Sequence, residues 1–207
     1  MNRRSVGFSM IEIMVVILIM GIIIAIALPM ANNALKGYKL HADATSIASY
    51  LNVVRMKAAS QFKPYRLIVD TSAGTYTMER LCGDTPSTAD SNCTGTYSAY
   101  QEFSTPVYEG GTQYISQGST FSSCRPTFIT GSSYPGTIIG DLSPCPTILY
   151  MYFNTRGSPV NNQGNPMANG GEVLYIYNQN HLTDAVTVAL GGRVSVSSWS
   201  GSAWVTR

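Results

Sequence analysis

The chain has 207 residues, of which 44% are hydrophobic and only 12% are charged. This balance fits one ordinary globular domain joined to an apolar segment better than two full domains. Its 13 basic and 11 acidic side chains give a formal net charge of +2, which excludes the chain-wide basic excess of a protein that binds nucleic acid through general charge alone.

The first element in the chain is a long apolar segment. Residues 13–35 carry no charged side chain and include the run "IMVVILIMGIIIAIALPMA". A continuous helix here is long enough to cross a bilayer, although a buried helix has the same composition. A secretory signal peptide is another alternative, because Ala25-Ile26-Ala27 offers a cleavage site after Ala27. Against this alternative, the run exceeds the roughly 7 to 15 apolar residues of such a signal.

The residues before this segment form a specific motif. A short basic leader, residues 1–7, ends in Gly7 and precedes Phe8, and Glu12 is the fifth residue after Gly7. This pattern resembles the class III signal of type IV prepilins and type II secretion pseudopilins. The resemblance implies that a prepilin peptidase cuts between Gly7 and Phe8 and methylates the new amine of Phe8.

Glu12 is the one carboxylate at the start of the apolar segment. A charge in hydrocarbon costs about 2.5–3.5 kcal/mol on insertion scales, so an intramembrane glutamate indicates a functional partner. The resemblance implies that this partner is the amine of Phe8 in a neighbouring subunit and that the pair sets the axial register of a fibre. The alternative is that Glu12 lies at the headgroup level of a simple anchor, where a charge costs little.

Pro29 lies within the same segment. Proline removes one helix hydrogen bond, and together with Gly21 it makes this helix easier to bend or break. Pro29 matches a common pilin position, and the resemblance implies local melting of the helix there during fibre assembly. A plain kink where the helix leaves the membrane is the alternative.

A second helical pattern follows Pro29. Its apolar residues recur every three or four positions and predict one stripe that packs on the protein's own sheet: Leu40, Ala44, Ile47, Leu51, Val54, Ala58 and Phe62. Lys63-Pro64 predicts the end of this helix. We therefore divide the chain into a leader (1–7), a hydrophobic transmembrane or fibre-core helix (8–35), an amphipathic helix (36–63) and a head (64–207).

The head has the alternation and turn signals of β-strands. The segments "YRLIVD" and "TYTMER" flank "TSAG" and predict a hairpin, with Tyr76 and Met78 on one face and Glu79 on the other. Five more candidates follow: "TILYMYFN", "EVLYIYNQ", "AVTVAL", "RVSVSS" and "AWVTR". The predicted fold class is α+β, with a long N-terminal helix packed on a mainly antiparallel sheet.

Two loop regions and the cysteines complete the head. The stretch from Cys82 to about Gly140 predicts long loops with short strands, and residues 157–171 predict a second loop. The cysteines all follow the apolar segment, contain no CxxC and have little histidine nearby, which favours two disulfides in an oxidising compartment over a zinc site. Three pairings are possible and free buried thiols are the alternative; the local pairs are Cys82 with Cys93 and Cys124 with Cys145.

The head also resembles one branch of the family. The segments "ASYLNVVRMKAASQFKPYRLIVD" and "VTVALGGRVSVSSWSG" resemble the GspH/FimT branch, with Arg55 in an Arg-x-x-Ala turn and Arg193 in a Gly-Arg strand. The resemblance implies a minor pilin that primes or caps a pilus, or alternatively a GspH-like pseudopilin of type II secretion. Its implied partners are other major and minor pilins or pseudopilins through the stem helix, the prepilin peptidase and the inner membrane, with a periplasmic head before assembly.

Other functions have weaker signals. His41 and His181 are the only histidines, and neither belongs to a catalytic triad or a metal-ligand pattern, so we expect them to be solvated and expect no catalysis, cofactor or metal. Asp84 and Asp90 could help to hold calcium, but they lack the ligand spacing of an EF-hand.

Nucleic acid remains a candidate partner, because some relatives in this branch serve in transformation. Arg193 is the candidate contact, with a strand-edge ion pair as the alternative. Removal of Arg3 and Arg4 with the leader leaves 13 − 2 = 11 basic against 11 acidic side chains, and no further positive charge follows Arg193 before Arg207. This balance argues against binding to a phosphate backbone.

Overall fold

The structure is a computed structural model, and it describes residues 9–82, 106–130, 134–136, 144–167 and 170–206. It divides into two compact units, Met1–Tyr38 and Lys39–Arg207. One helix, α1, spans Met10–Gln61. The strands in chain order are β1 Tyr65–Asp70, β2 Thr75–Arg80, β3 Val107–Tyr114, β4 Ser119–Ser122, β5 Ile148–Phe153, β6 Pro159–Val160, β7 Gly171–Asn178, β8 Thr183–Ala189, β9 Val194–Trp199 and β10 Trp204–Thr206.

The first unit contains the apolar part of α1. Its large apolar side chains from Met10 to Leu35 are between 44% and 79% exposed, so they pack on nothing within the described chain. By length and composition, α1 is able to cross a membrane.

The second unit contains the amphipathic part of α1. The predicted stripe is confirmed, since these residues are at most 2% exposed: Leu40, Ala44, Ile47, Leu51, Val54 and Ala58. The prediction for Phe62 is wrong, because its side chain is 77% exposed. The helix ends at Gln61, and Phe62 then adopts a left-handed backbone with φ 52°, which takes it out of the helical period.

The strands form two antiparallel five-stranded sheets, ordered β3-β2-β1-β5-β6 and β10-β9-β8-β7-β4. The predicted hairpin is confirmed, with β1 and β2 paired from Tyr65↔Arg80 to Asp70↔Thr75. The other five predicted strands are also present, as β5 and β7 to β10. The inner faces of both sheets and the helix stripe share one hydrophobic core, so the α+β class is confirmed.

A disulfide closes the loop that follows β4. Cys124 and Cys145 are bonded at a sequence separation of 21 residues, which confirms one of the two local pairings. A closed loop of this size stabilises a fold by about 3 kcal/mol in the chain-entropy account. Cys82 is disulfide-bonded as well, and Cys93 lies outside the described residues.

Candidate functional site

The start of α1 carries the candidate assembly site. Glu12 lies in the first helical turn, where its backbone N–H donates to the carbonyl oxygen of Ser9 at 3.0 Å. Its side chain is exposed and forms no ion pair with any described residue. Gly7 and Phe8 lie outside the described residues, so cleavage, methylation and the pairing of Glu12 remain predictions.

Pro29 lies inside α1. The helix runs without interruption through this position, from Met10 to Gln61, and the side chain of Pro29 is not among the described ones. A proline in a helix interior leaves one carbonyl without its usual donor, which makes this turn easier to open. The melting of the helix at Pro29 during assembly remains a prediction.

Arg55 clamps α1 to two turns of the head. Its Nε donates to the carbonyl oxygen of Gly157 at 3.2 Å, and its Nη1 donates to that of Gly192 at 2.8 Å. Both glycines have left-handed backbones, with φ +74° and +77°. A Cβ at Gly192 would lie 3.0 Å from Nε of Arg55, so glycine is needed there for both conformation and space.

A polar network holds the end of α1 to the edge strand β3. Nζ of Lys57 lies 2.5 Å from Oε2 of Glu109, and the hydroxyl of Tyr65 donates to Oε1 of Glu109 at 2.9 Å. Burial and then the bond to Glu109 raise the pKa of Tyr65. Burial opposes ionisation of Glu109, but the hydrogen bonds from Lys57 and Tyr65 outweigh it and lower the pKa of Glu109. The network therefore holds a carboxylate and a neutral phenol at neutral pH.

An ion pair lies on the opposite face of the first sheet. Nε of Arg66 donates to Oε2 of Glu79 at 2.6 Å, and both side chains are buried. The guanidinium of Arg66 also lies 4.6 Å from the ring centroid of Tyr150. Glu79 thus occupies the face that its sequence position predicts, and its side chain is buried there although Thr75 and Thr77 on the same face are only half-buried.

Comparison with known proteins identifies the N-terminal segment. Residues 2–28 match the family model described as the prokaryotic N-terminal methylation motif. The chain carries a prepilin methylation motif. This match confirms the resemblance to prepilins and pseudopilins that the residues around Glu12 indicate. No curated protein matches the sequence significantly.

Two solved structures are similar to this pilin-like chain. One is the minor pseudopilin EpsH from the Type 2 Secretion System of Vibrio cholerae, with 12% identity, a TM-score of 0.44 and coverage of 77% of this chain and 97% of that one. The other is the type IV minor pilin FimU of Pseudomonas aeruginosa, with 11% identity, a TM-score of 0.44 and coverage of 81% and 93%.

The side chain of Arg193 takes part in none of the ion pairs and side-chain hydrogen bonds described above. Its side chain is exposed and has no ion pair with a described residue, so the expected strand-edge ion pair is not found in this part of the structure. Its carbonyl oxygen accepts from the backbone N–H of Ala189 at 2.9 Å, which closes the β8–β9 turn. A contact with DNA at Arg193 remains a prediction.

The two histidines have structural contacts. The side chain of His41 is 37% exposed, as a partly solvated histidine, and its Nδ1 also lies 2.9 Å from Oδ2 of the buried Asp184 at the start of β8, a contact that the sequence did not predict. His181 is exposed and stacks on Phe128 at 4.4 Å between ring centroids. Among the described residues no three histidine, cysteine or acidic side chains converge as metal ligands, and Asp84 and Asp90 lie outside them.

Proposed function

We propose that this pilin-like chain is a minor type IV pilin, a structural subunit that primes or caps a pilus after prepilin peptidase cleaves between Gly7 and Phe8. Before assembly, its one apolar helix lies in the inner membrane and its head in the periplasm. The observation that carries the proposal is Glu12, a single exposed carboxylate at the start of a helix whose next charged residue is Lys36.

The exposed stem supplies the driving force for assembly. Its apolar side chains have no partner within the described chain, so they require either lipid or other stems around them. When neighbouring stems replace lipid, Glu12 enters an environment of low polarity, where an unpaired charge is strongly penalised. A methylated amine of Phe8 in the adjacent subunit neutralises Glu12 only at the correct axial step, so the pair selects the register.

The head keeps a fixed structure during this transfer. His41, Arg55 and Lys57 bind α1 to β8, to two turns and to β3, so the amphipathic helix moves together with its sheets. The same stem and head equally suit a GspH-like pseudopilin. The two assignments differ in where the processed subunit accumulates, in surface fibres for a pilin and in the membrane for a pseudopilin.

The test is peptide mass spectrometry of sheared surface fibres and of the membranes left behind. We expect an N-methylated peptide that begins at Phe8 in the fibres, at low abundance relative to the major subunit. The same peptide confined to the membranes indicates a secretion pseudopilus. An N-terminus at Met1, or cleavage after Ala27, contradicts both assignments.

Two substitutions at Glu12 test its role in register. Glu12→Gln keeps the size of the side chain but leaves the neighbour's amine without a counter-charge, whereas Glu12→Asp keeps the charge. We expect both variants to be processed, and we expect Glu12→Gln to reduce incorporation into fibres by about tenfold or more, given the cost of an unpaired charge. Equal incorporation of Glu12→Gln and the unaltered chain excludes the register role.

A further inference from the structure

The charge-free part of α1 has the length of a bilayer core. Residues 13–35 number 35 − 13 + 1 = 23, all helical and without charge. At a rise of 1.5 Å per residue they span about 35 Å, slightly more than the roughly 30 Å of hydrocarbon in a bilayer. With a modest tilt, the residues that follow Leu35 therefore lie at the level of the lipid headgroups.

The side chains at that level are basic and aromatic. Lys36, Tyr38 and Lys39 follow directly, Tyr38 is 74% exposed, and both lysines are exposed. Neither lysine forms an ion pair with any described residue. Tyrosine is enriched at membrane interfaces, and lysine extends its ammonium group towards the phosphates while its methylene chain stays in the apolar layer.

The carboxylate at a pairing position for Lys39 binds the head and forms no ion pair with the lysine. Asp43 is four residues further along the helix, a spacing at which opposite charges can pair. Its Oδ1 instead accepts from the hydroxyl of Ser116 at 2.9 Å and its Oδ2 from that of Ser119 at 3.0 Å. The backbone N–H of Ser116 also donates to this carboxylate, at 3.2 Å from Oδ2. Both oxygens of Asp43 are thereby used to hold the β3–β4 turn.

We propose that Lys36 and Lys39 bind the phosphates of anionic lipids in the periplasmic leaflet and so hold the stem at a fixed depth before assembly. The inference deepens the proposed function and rests on the membrane-held state of the subunit. Its basis is charge complementarity, since two exposed ammonium groups that form no ion pair with a described residue stand three positions apart in the chain where the apolar span ends. Zwitterionic lipids have the same phosphate but also carry a positive charge that offsets it, so the two lysines should bind them more weakly than anionic lipids.

The experiment uses the chain processed to Phe8, so that Arg3 and Arg4 of the leader add no charge, in proteoliposomes that mix phosphatidylcholine and phosphatidylglycerol. Spin-labelled forms of each lipid report, by electron paramagnetic resonance, how strongly the protein selects one lipid over the other. A lysine near an anionic surface contributes up to about fivefold in association. We expect a several-fold preference for phosphatidylglycerol that disappears in 1 M salt, where the screening length is about 3 Å.

Three variants make the test specific. Lys36→Gln/Lys39→Gln should lose the preference, and Lys36→Arg/Lys39→Arg should retain it. Lys63→Gln is the matched control, because it removes a lysine beyond the end of α1 and should leave the preference unchanged. Equal lipid selectivity in the Lys36→Gln/Lys39→Gln variant and the unaltered chain overturns the inference.

Flotation of the same vesicles separates failure of the inference from failure of the proposed function. A chain that floats with the vesicles but shows no preference for phosphatidylglycerol contradicts the lipid contact alone. A chain that stays in the unfloated fraction contradicts the anchored state, and the lipid contact falls with it.

Discussion

Arg55 offers the sharpest test of how α1 is held in the head. We consider Arg55→Met, which keeps an unbranched, shorter apolar side chain but removes the charge and every donor. The substitution deletes the hydrogen bonds to Gly157 and Gly192, at 3.2 and 2.8 Å. A hydrogen bond to a charged group contributes about 1.5–3 kcal/mol, and the longer bond belongs at the weak end of this range. Because Arg55 is half-buried, water replaces part of the loss, and we expect about 2–3 kcal/mol in total.

The assay is thermal unfolding of the full chain in detergent micelles, followed by circular dichroism. For a domain of this size 1 kcal/mol shifts Tm by roughly 2–4 °C, so Arg55→Met should lower Tm by about 4–12 °C. Arg156→Met is the control, since Arg156 is an exposed arginine beside the same turn. The Tm of Arg55→Lys, which keeps a single donor group, should lie between those of Arg55→Met and Arg156→Met. If Arg55→Met and Arg156→Met have the same Tm, the two hydrogen bonds do not hold the helix.

Three further predictions concern the head. Burial raises the pKa of Glu172, whose Oε2 has no hydrogen-bond partner among the described residues, so the contribution of this group to stability should be greatest in acid and be lost as pH rises through its folded-state pKa. Urea titrations should show that Glu172→Gln abolishes this loss. Phe62→Gly should raise Tm, because a left-handed backbone costs about 1 kcal/mol at a residue with a Cβ and glycine avoids this cost. An unchanged or lower Tm contradicts the strain at Phe62. Gly192→Ala should lower the free energy of unfolding, measured by denaturant titration, by about 1–3 kcal/mol. Gly191→Ala is the control and should lower it less, because the space around the added Cβ is open.

Sequence periodicity was sufficient for the elements whose burial is regular. The stripe on α1 from Leu40 to Ala58 and the hairpin of β1 and β2 each present one apolar face at a constant period, and both were predicted. Phe62 continues the apolar spacing of the stripe in the sequence, but α1 ends at Gln61, so the helical period no longer places its side chain on the core face. The N-terminal motif was recognisable for a different reason, since its signal lies in the spacing of Gly7, Phe8 and Glu12 and needs no tertiary contact.

The elements that depend on distant partners were not predictable in this way. β3 has the sequence "VYEGGTQY", with two adjacent glycines at positive φ and no apolar alternation. It is held by Lys57 and by the hydroxyl of Tyr50, which donates to the carbonyl oxygen of Glu109 at 3.3 Å. These contacts join residues more than 50 positions apart. The pairing of His41 with Asp184 joins residues 143 positions apart and has no local signal either.

The contacts along α1 also determine how the head responds to mechanical load. His41, Asp43, Arg55 and Lys57 each bind a different part of the head, and they are spread over about 24 Å of helix. Tension transmitted along α1 acts on all four contacts in shear, so they share the force and do not open one after another. A force applied perpendicular to the helix axis, by contrast, would break the four contacts one after another, starting from one end of the helix. The head should therefore withstand a pull along the helix axis far better than a sideways pull of the same size.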